Sequence, residues 1–254
     1  YGKSEYISGH MVDSMPQSIA LIGGWNLTFD VNLKAFTALV ICMACIGVGF
    51  SKHLSNARVM SAFVNGKDVV VWRSRSGKLS AWENRCPHRG MRLSYGFVRG
   101  EALACMYHGW HYGVDGKCKY IPAHPDLEPP ETIQIQRYSA FEKNSVIWVS
   151  DGGKLDTPEI PARIFPIRSM ELHCSADILK STLDGFTSTS SGGDQIVFNV
   201  MDEKEDVMCV DIPKWNVVLW FVFQTLTNSR CFIHVLSEGK RAPINKKWIS
   251  RGLE

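Results

Sequence analysis

The sequence predicts a mainly β protein in two parts, an antiparallel β domain followed by a smaller α+β domain. Short apolar runs alternate with turn residues through the first part, a spacing typical of a small antiparallel barrel or sandwich. The dipeptide Asn65-Gly66 lies between two of these runs and is a strong hairpin signal. A short helical pattern near residues 178–183, followed by further strand-like runs, indicates the α+β part.

The chain divides into four predicted segments. Residues 1–53 form an N-terminal extension, 54–152 the β domain, 153–166 a linker rich in Pro and Gly, and 167–254 the second domain. The predicted strands cover residues 59–64, 69–72, 79–82, 145–149, 171–175, 195–201, 207–212, 216–226 and 230–236. A length of 254 residues suits two small domains of this kind.

Residues 35–50 of the extension form an apolar run without a charged side chain. A bilayer-spanning helix needs roughly 17–25 apolar residues, so this run is short for a span but leaves a membrane anchor open as one alternative. Such an anchor implies a complex in an organelle membrane, of a plastid or a mitochondrion. In the other alternative, residues 46–50 form an early buried strand, and the protein is cytoplasmic or stromal. Because the chain begins at Tyr1 and not at Met, we expect it to be processed or truncated.

Composition excludes one class of partner. The formal net charge is +3, from 28 basic and 25 acidic side chains, and the basic runs are short. This balance argues against binding to nucleic acid. The eight cysteines show no spacing typical of a disulfide framework, so those outside the motif described next are expected to be buried free thiols.

Two short motifs carry the chemistry: Cys86 and His88 flank one proline, and Cys105 and His108 flank two residues. Two cysteines and two histidines in this order fit a Rieske-type [2Fe–2S] cluster, in which thiolates hold one iron and imidazoles the other. A tetrahedral zinc site and a chance arrangement are the alternatives. The mixed Cys/His halves favour two loops that close on a two-iron cluster. Gly109 would permit a close backbone approach there.

These motifs resemble the Rieske domain of Rieske non-haem iron oxygenases, the α-subunits that hydroxylate rings or remove methyl groups. The resemblance covers residues 57–151 and implies that Cys86 and Cys105 hold the inner iron, and His88 and His108 the outer one. Respiratory Rieske proteins carry an extra, disulfide-bonded cysteine in each loop. In those places this chain has Met91 and Tyr107. The runs that resemble the oxygenases are Cys86-Pro87-His88-Arg89-Gly90, Cys105-Met106-Tyr107-His108-Gly109-Trp110-His111-Tyr112, Gly116-Lys117-Cys118 and Ile121-Pro122-Ala123-His124-Pro125.

The same resemblance implies a helix-grip second domain with a mononuclear Fe(II), held by two histidines and a carboxylate. Residues 167–254 are short for that domain, which we therefore expect to be truncated and degenerate. Asp184 matches the family's carboxylate between the two metal centres, whereas Thr187 and Gly192 occupy the places of the histidines. Mononuclear Fe(II) is therefore expected to be absent. His173 and His234 lie in strand-like runs and are interpreted as core or surface residues.

Three functions remain open at this point. The first is a one-electron transfer or structural subunit of a larger, membrane-bound complex. The second is a Rieske monooxygenase or demethylase, an oxidoreductase that uses O2 and a reductase, with an atypical or truncated catalytic domain. The third is a soluble ferredoxin-like carrier. All three imply a redox partner protein, a reductase or a ferredoxin, or a larger complex.

Overall fold

The computed structural model describes residues 45–152, 157–189, 195–204 and 206–239, and their secondary structure is almost entirely antiparallel β. The predicted mainly β fold is confirmed. A six-stranded sheet in the order β1-β10-β9-β4-β3-β2 forms the base of the first part. Its strands are β1 (Ile46–Phe50), β2 (Arg58–Val64), β3 (Lys67–Arg73), β4 (Leu79–Glu83), β9 (Arg137–Lys143) and β10 (Val146–Ser150).

The predicted hairpin joins β2 to β3. Val64 pairs with Lys67, which leaves Asn65 and Gly66 as a two-residue loop. Their φ angles are 50° and 76°, the left-handed values that a tight hairpin turn of this twist requires and that Asn and Gly tolerate best. The turn therefore fixes the register of the two strands.

A smaller four-stranded sheet lies between β4 and β9 in the chain and carries the Cys/His motifs. Its strands pair in sequence order, as β5 (Phe97–Arg99), β6 (Ala102–Ala104), β7 (His111–Gly113) and β8 (Cys118–Tyr120). A 3-10 turn at Leu93–Tyr95 precedes β5. The first motif lies between β4 and this turn, and the second lies between β6 and β7.

The second part is a five-stranded sheet in the order β11-β17-β16-β15-β14, with a separate β12–β13 ribbon and an α-helix. These elements are β11 (Ile164–Leu172), α1 (Ala176–Leu183), β12 (Thr187–Thr189), β13 (Gln195–Val197), β14 (Asn199–Lys204), β15 (Val207–Ile212), β16 (Val217–Thr227) and β17 (Arg230–Glu238). The Ser175 side chain accepts a hydrogen bond from the Ile178 N–H and caps α1. Ala176, Leu179 and Leu183 form the buried face of the helix, at helical spacing.

Strand β16 separates two apolar cores because its side chains alternate between two faces. Phe221 and Phe223 pack in the core on the helix side, whereas Trp220 and Val222 pack against the six-stranded sheet. Where β16 packs against the six-stranded sheet, the backbone of Gly47 on β1 approaches β16 closely. A Cβ atom at Gly47 would lie 2.6 Å from Val222 Cγ1, so a side chain there would push the sheets apart.

Residues 46–50, the end of the N-terminal apolar run, form the early strand of the second alternative. Ile46 pairs with Val149 and Phe50 with Val146, so β1 is an edge strand of the six-stranded sheet. This strand lies within the segment that the sequence assigned to the extension. The membrane-spanning alternative for residues 35–50 finds no support: their last five residues are this strand, and residues 35–44 lie outside the described part. No helix among the described residues is long and apolar enough to cross a membrane.

Candidate iron–sulfur centre

The two Cys/His motifs fold into loops with the same backbone hydrogen bonds. In the first, the Cys86 N–H donates to the Met91 carbonyl at 2.9 Å, and the Gly90 N–H donates to the Cys86 carbonyl at 2.8 Å. In the second, the Cys105 N–H donates to the Trp110 carbonyl at 2.9 Å, and the Gly109 N–H to the Cys105 carbonyl at 3.0 Å. Each loop therefore turns its cysteine inward on a fixed backbone.

A glycine in the left-handed region closes each loop. The φ angles are 71° at Gly90 and 69° at Gly109. This conformation costs about 1–2 kcal/mol for a residue with a side chain. A Cβ atom at Gly109 would also lie 3.0 Å from Pro122 Cγ. The loops thus depend on Gly for conformation, and the second also depends on it for space.

The cysteines lie on the inner side of the centre. Cys86 is 3% exposed and Cys105 is 2% exposed, and both belong to an apolar core with Trp82, Leu93 and Leu103. Burial raises the pKa of the Cys105 thiol, and the neighbouring Cys86 raises it further. Metal binding has to displace that proton, as it does at any thiolate ligand.

The histidines lie on the outer side. The ring centroids of His88 and His108 are 4.6 Å apart, and His88 stacks on Trp110 at 4.3 Å with an interplanar angle of 7°. His88 is half-buried and His108 exposed. Partial burial, and then the proximity of His108 and Arg89, lowers the pKa of His88, which favours the neutral imidazole that a metal needs.

A tyrosine that the sequence reasoning did not single out completes the site. The Tyr112 hydroxyl lies 3.1 Å from Cys86 Sγ, and the Tyr112 side chain is fully buried. Burial raises the pKa of Tyr112, so its O–H stays protonated and can donate to a thiolate. The alternation along β7 contains the signal that could have found it, because a period of two turns Tyr112 inward and His111 outward.

The residues fit a [2Fe–2S] cluster with two unlike irons. Two buried thiols face inward and two imidazoles face outward, as one thiolate-bound and one imidazole-bound iron require. Each iron takes only two protein ligands in such a cluster. Among the described residues, no group of three or more His, Cys, Asp or Glu side chains is placed to hold a single metal ion.

Exposed apolar and basic side chains surround the histidines. Met106 and Tyr107, which precede His108, are 55% and 58% exposed. Arg85 and Arg89 of the first loop are exposed as well. This surface combines apolar area with positive charge next to the two histidines.

The predicted residues of the second domain lie on several different elements. Asp184 is exposed at the end of α1, and Thr187 is exposed on β12. Gly192 falls outside the described residues. His173 is exposed, whereas His234 is buried on β17 with its Nδ1 2.8 Å from Ser169 Oγ. The interpretation of both histidines as surface or core residues agrees with these positions.

Comparison with family models gives one match, to the Rieske [2Fe-2S] domain, over residues 45–139. The matched segment contains both loops and begins at the residue before β1.

Comparison with characterised proteins finds oxidoreductases and oxygenase subunits. The chain is 30% identical over 208 residues to the oxidoreductase NdmD of Pseudomonas putida, covering 76% of this chain and 35% of NdmD. It is 37% identical over 97 residues to the 3-chlorobenzoate-3,4-dioxygenase oxygenase subunit of Comamonas testosteroni, covering 38% of this chain and 22% of that protein. The chain thus spans about a third or less of the length of these relatives.

Among solved structures, the crystal structure of dicamba monooxygenase matches with a TM-score of 0.64 at 18% identity. The match covers 84% of this chain and 81% of that one. At this identity the match shows a shared fold, which extends over both parts of the chain.

Proposed function

Because this chain is a Rieske [2Fe–2S] protein related to the α-subunits of Rieske oxygenases, we propose that it transfers single electrons between a redox partner and a larger oxygenase-like complex. Cys86, Cys105, His88 and His108 are the proposed ligands of its cluster. The observation that carries this proposal is the pair of loops with matching backbone hydrogen bonds, which place two thiols inside and two imidazoles outside.

Some residues around the cluster would shield it from solvent, and others would leave it accessible to a partner. The cluster supplies one-electron chemistry when bound. Cys86 and Cys105 are buried on the inner side of the cluster site, and the apolar core around them limits the access of water. His108 is exposed, so a partner protein could approach the cluster at this side. Trp110 stacks on His88 and holds its ring in one orientation.

We further propose that the second domain is a degenerate oxygenase domain without mononuclear Fe(II), and that Asp184 is a remnant of its bridging acid. The support is that Thr187 and Gly192 occupy the places of the histidine ligands, and neither side chain can replace an imidazole. The proposed limits stay at 54–152 for the Rieske domain, 153–166 for the linker and 167–254 for the second domain. The strand at Ile46–Phe50 belongs to the Rieske sheet in addition.

A second candidate function is a Rieske monooxygenase or demethylase that works with a reductase. The observation that favours it is the extent of the shared fold, since the match to dicamba monooxygenase includes the second domain as well as the first. This candidate requires a third iron, whose ligands would have to differ from those the family motif provides.

The deciding experiment measures iron and acid-labile sulfide on anaerobically purified protein, with an EPR spectrum after dithionite reduction. We expect two irons and two sulfides per chain and a Rieske-type signal. His108→Ala should lose the signal, whereas His124→Ala, which changes an exposed histidine of the neighbouring loop, should keep it. A reproducible third iron would support the monooxygenase. Retention of the Rieske signal in His108→Ala would refute the proposed ligand set.

A further inference from the structure

A cleft of about 440 Å³ lies between β1 and β2 of the six-stranded sheet and β11, β16 and β17 of the five-stranded sheet. On β16, Trp220 and Val222 fill the space between the sheets, whereas Gln224 and Leu226, further along the strand, line the cleft. The cleft therefore opens where the apolar contact ends. Gln224 Nε2 donates to the Phe63 carbonyl at 2.9 Å across it and fixes the distance between its walls.

Both walls of the cleft are largely apolar. Val48, Met60 and Phe63 line it from the first sheet, and Leu226 and Phe232 from the second. Ligand pockets in proteins typically have volumes of about 300–1,000 Å³ and apolar walls with a few polar groups. The cleft falls at the lower end of that range, which suits a molecule of one or two rings.

Each arginine and glutamate that lines the cleft has an ion-pair partner, and the buried Nε of Arg92 has no hydrogen-bond partner among the described residues. Arg230 donates to Glu171 through Nε at 2.7 Å and through Nη2. Arg92 Nη2 donates to Asp68 at 2.8 Å. Partial burial, helped by a neighbouring lysine, lowers the pKa of His53 and favours its neutral form. The cleft therefore presents little net charge to an occupant.

The remaining polar groups are uncharged. His234 is 2% exposed, with Nδ1 2.8 Å from Ser169 Oγ. Burial lowers the pKa of His234 to about 4, so the ring is neutral near pH 7. The Gln224 amide and the Thr227 hydroxyl also line the cleft. These groups can exchange hydrogen bonds with a neutral ligand.

From this combination we propose that the cleft binds a small, uncharged aromatic molecule that carries an amide-type hydrogen-bonding group. The apolar walls receive the ring, and Gln224, Ser169 and Thr227 contact its polar edge. A carboxylate or an ammonium on the same ring would have to break an existing ion pair or lie buried without a counter-charge, and both are unfavourable.

The cleft also reaches the first cluster loop. Arg92 lines it, and the preceding residue, Met91, accepts the hydrogen bond of the Cys86 N–H through its carbonyl. An occupant that contacts Arg92 would thus touch the residue next to the one that accepts the Cys86 hydrogen bond. The proposed binding itself needs no electron transfer, so it can succeed or fail independently of the proposed function.

The test uses the full, cluster-loaded chain and three probes with the same ring: benzamide, benzoate and benzylamine. Binding is followed by saturation-transfer NMR with titration to saturation. We expect saturable binding of benzamide and at least about tenfold weaker binding of the two charged probes, a difference of about 1.4 kcal/mol.

Two variants locate the binding. Leu226→Trp and Ser61→Trp each fill the cleft, from opposite walls, and each should abolish benzamide binding. Thr225→Trp places the same side chain on the other face of β16 and should leave binding unchanged. Thermal unfolding shows which variants are folded. No saturable binding of benzamide, equal binding of the charged probes, or unchanged binding in both folded cleft variants would overturn the proposal.

Discussion

Replacing Tyr112 by Phe should lower the reduction potential of the cluster without removing it. The Tyr112 hydroxyl lies 3.1 Å from Cys86 Sγ in a fully buried position, so no water can take its place as a donor. Reduction adds negative charge to the cluster and strengthens a hydrogen bond donated to its sulfur. The hydroxyl therefore stabilises the reduced state more than the oxidised state.

The size of the effect follows from the strength of such bonds. Hydrogen bonds to charged groups contribute about 1.5–3 kcal/mol. If about 1 kcal/mol of this differs between the redox states, the potential of a one-electron couple falls by about 40 mV in Tyr112→Phe. The loss of one oxygen atom leaves the ring and its packing in place, so the iron content should not change.

The assay is a redox titration of both proteins, followed by the EPR signal of the reduced cluster. Tyr120→Phe is the matched control, because Tyr120 lies on the adjacent strand, packs edge-on against His111 and is 39% exposed. Its potential should equal that of the parent protein. A Tyr112→Phe protein with full iron content and a potential within about 10 mV of the parent would refute the reasoning.

Three further substitutions test the loops, the interface between the sheets and the buried histidine. Gly109→Ala should reduce the cluster content of the protein. Gly100 has a similar φ of 61° but open space around it, so Gly100→Ala should leave the cluster content unchanged. Equal iron content in both variants would show that the space at Gly109 is unimportant. Gly47→Ala should lower the melting temperature, because the overpacked contact costs about 1–3 kcal/mol. The decrease should be smaller in Gly49→Ala, where the facing atom is the mobile end of a methionine. Equal melting temperatures of the two variants would contradict this. Because burial lowers the pKa of His234 to about 4, the unfolded chain binds the extra proton, and stability should fall by about 3 kcal/mol as pH drops from about 6.5 to 4. In His234→Gln the melting temperature should fall less over this range, and an unchanged pH profile would contradict the assignment.

The features that the sequence predicted well depend on local spacing. The hairpin at Asn65-Gly66 needs only two neighbouring residues with the right φ preference. The Rieske motifs at Cys86 and Cys105 are recognisable because each cysteine and its histidine lie within one short loop, although their role as ligands stays a prediction. Local chemistry determines both features before any long-range contact forms.

The features that remained ambiguous or unseen depend on contacts between distant parts of the chain. Ile46 pairs with Val149 of β10. The last five residues of the apolar run therefore form an edge strand only because β10 lies beside them. Tyr112 reaches Cys86 through the pairing of the small sheet. His234 finds its partner Ser169 across two strands. Hydrophobic periodicity alone does not specify such partners.

The first loop follows β4 of the six-stranded sheet, whereas the second joins β6 to β7 of the small sheet. An iron held by both Cys86 and Cys105, as proposed, would cross-link the chain and close a loop of about 19 residues, for which the chain-entropy estimate is about 3 kcal/mol. The cluster would then lower the conformational entropy of the unfolded chain, in addition to its redox role in the folded protein. Loss of iron should consequently loosen the small sheet first, while the six-stranded sheet, held by its own apolar core, remains folded.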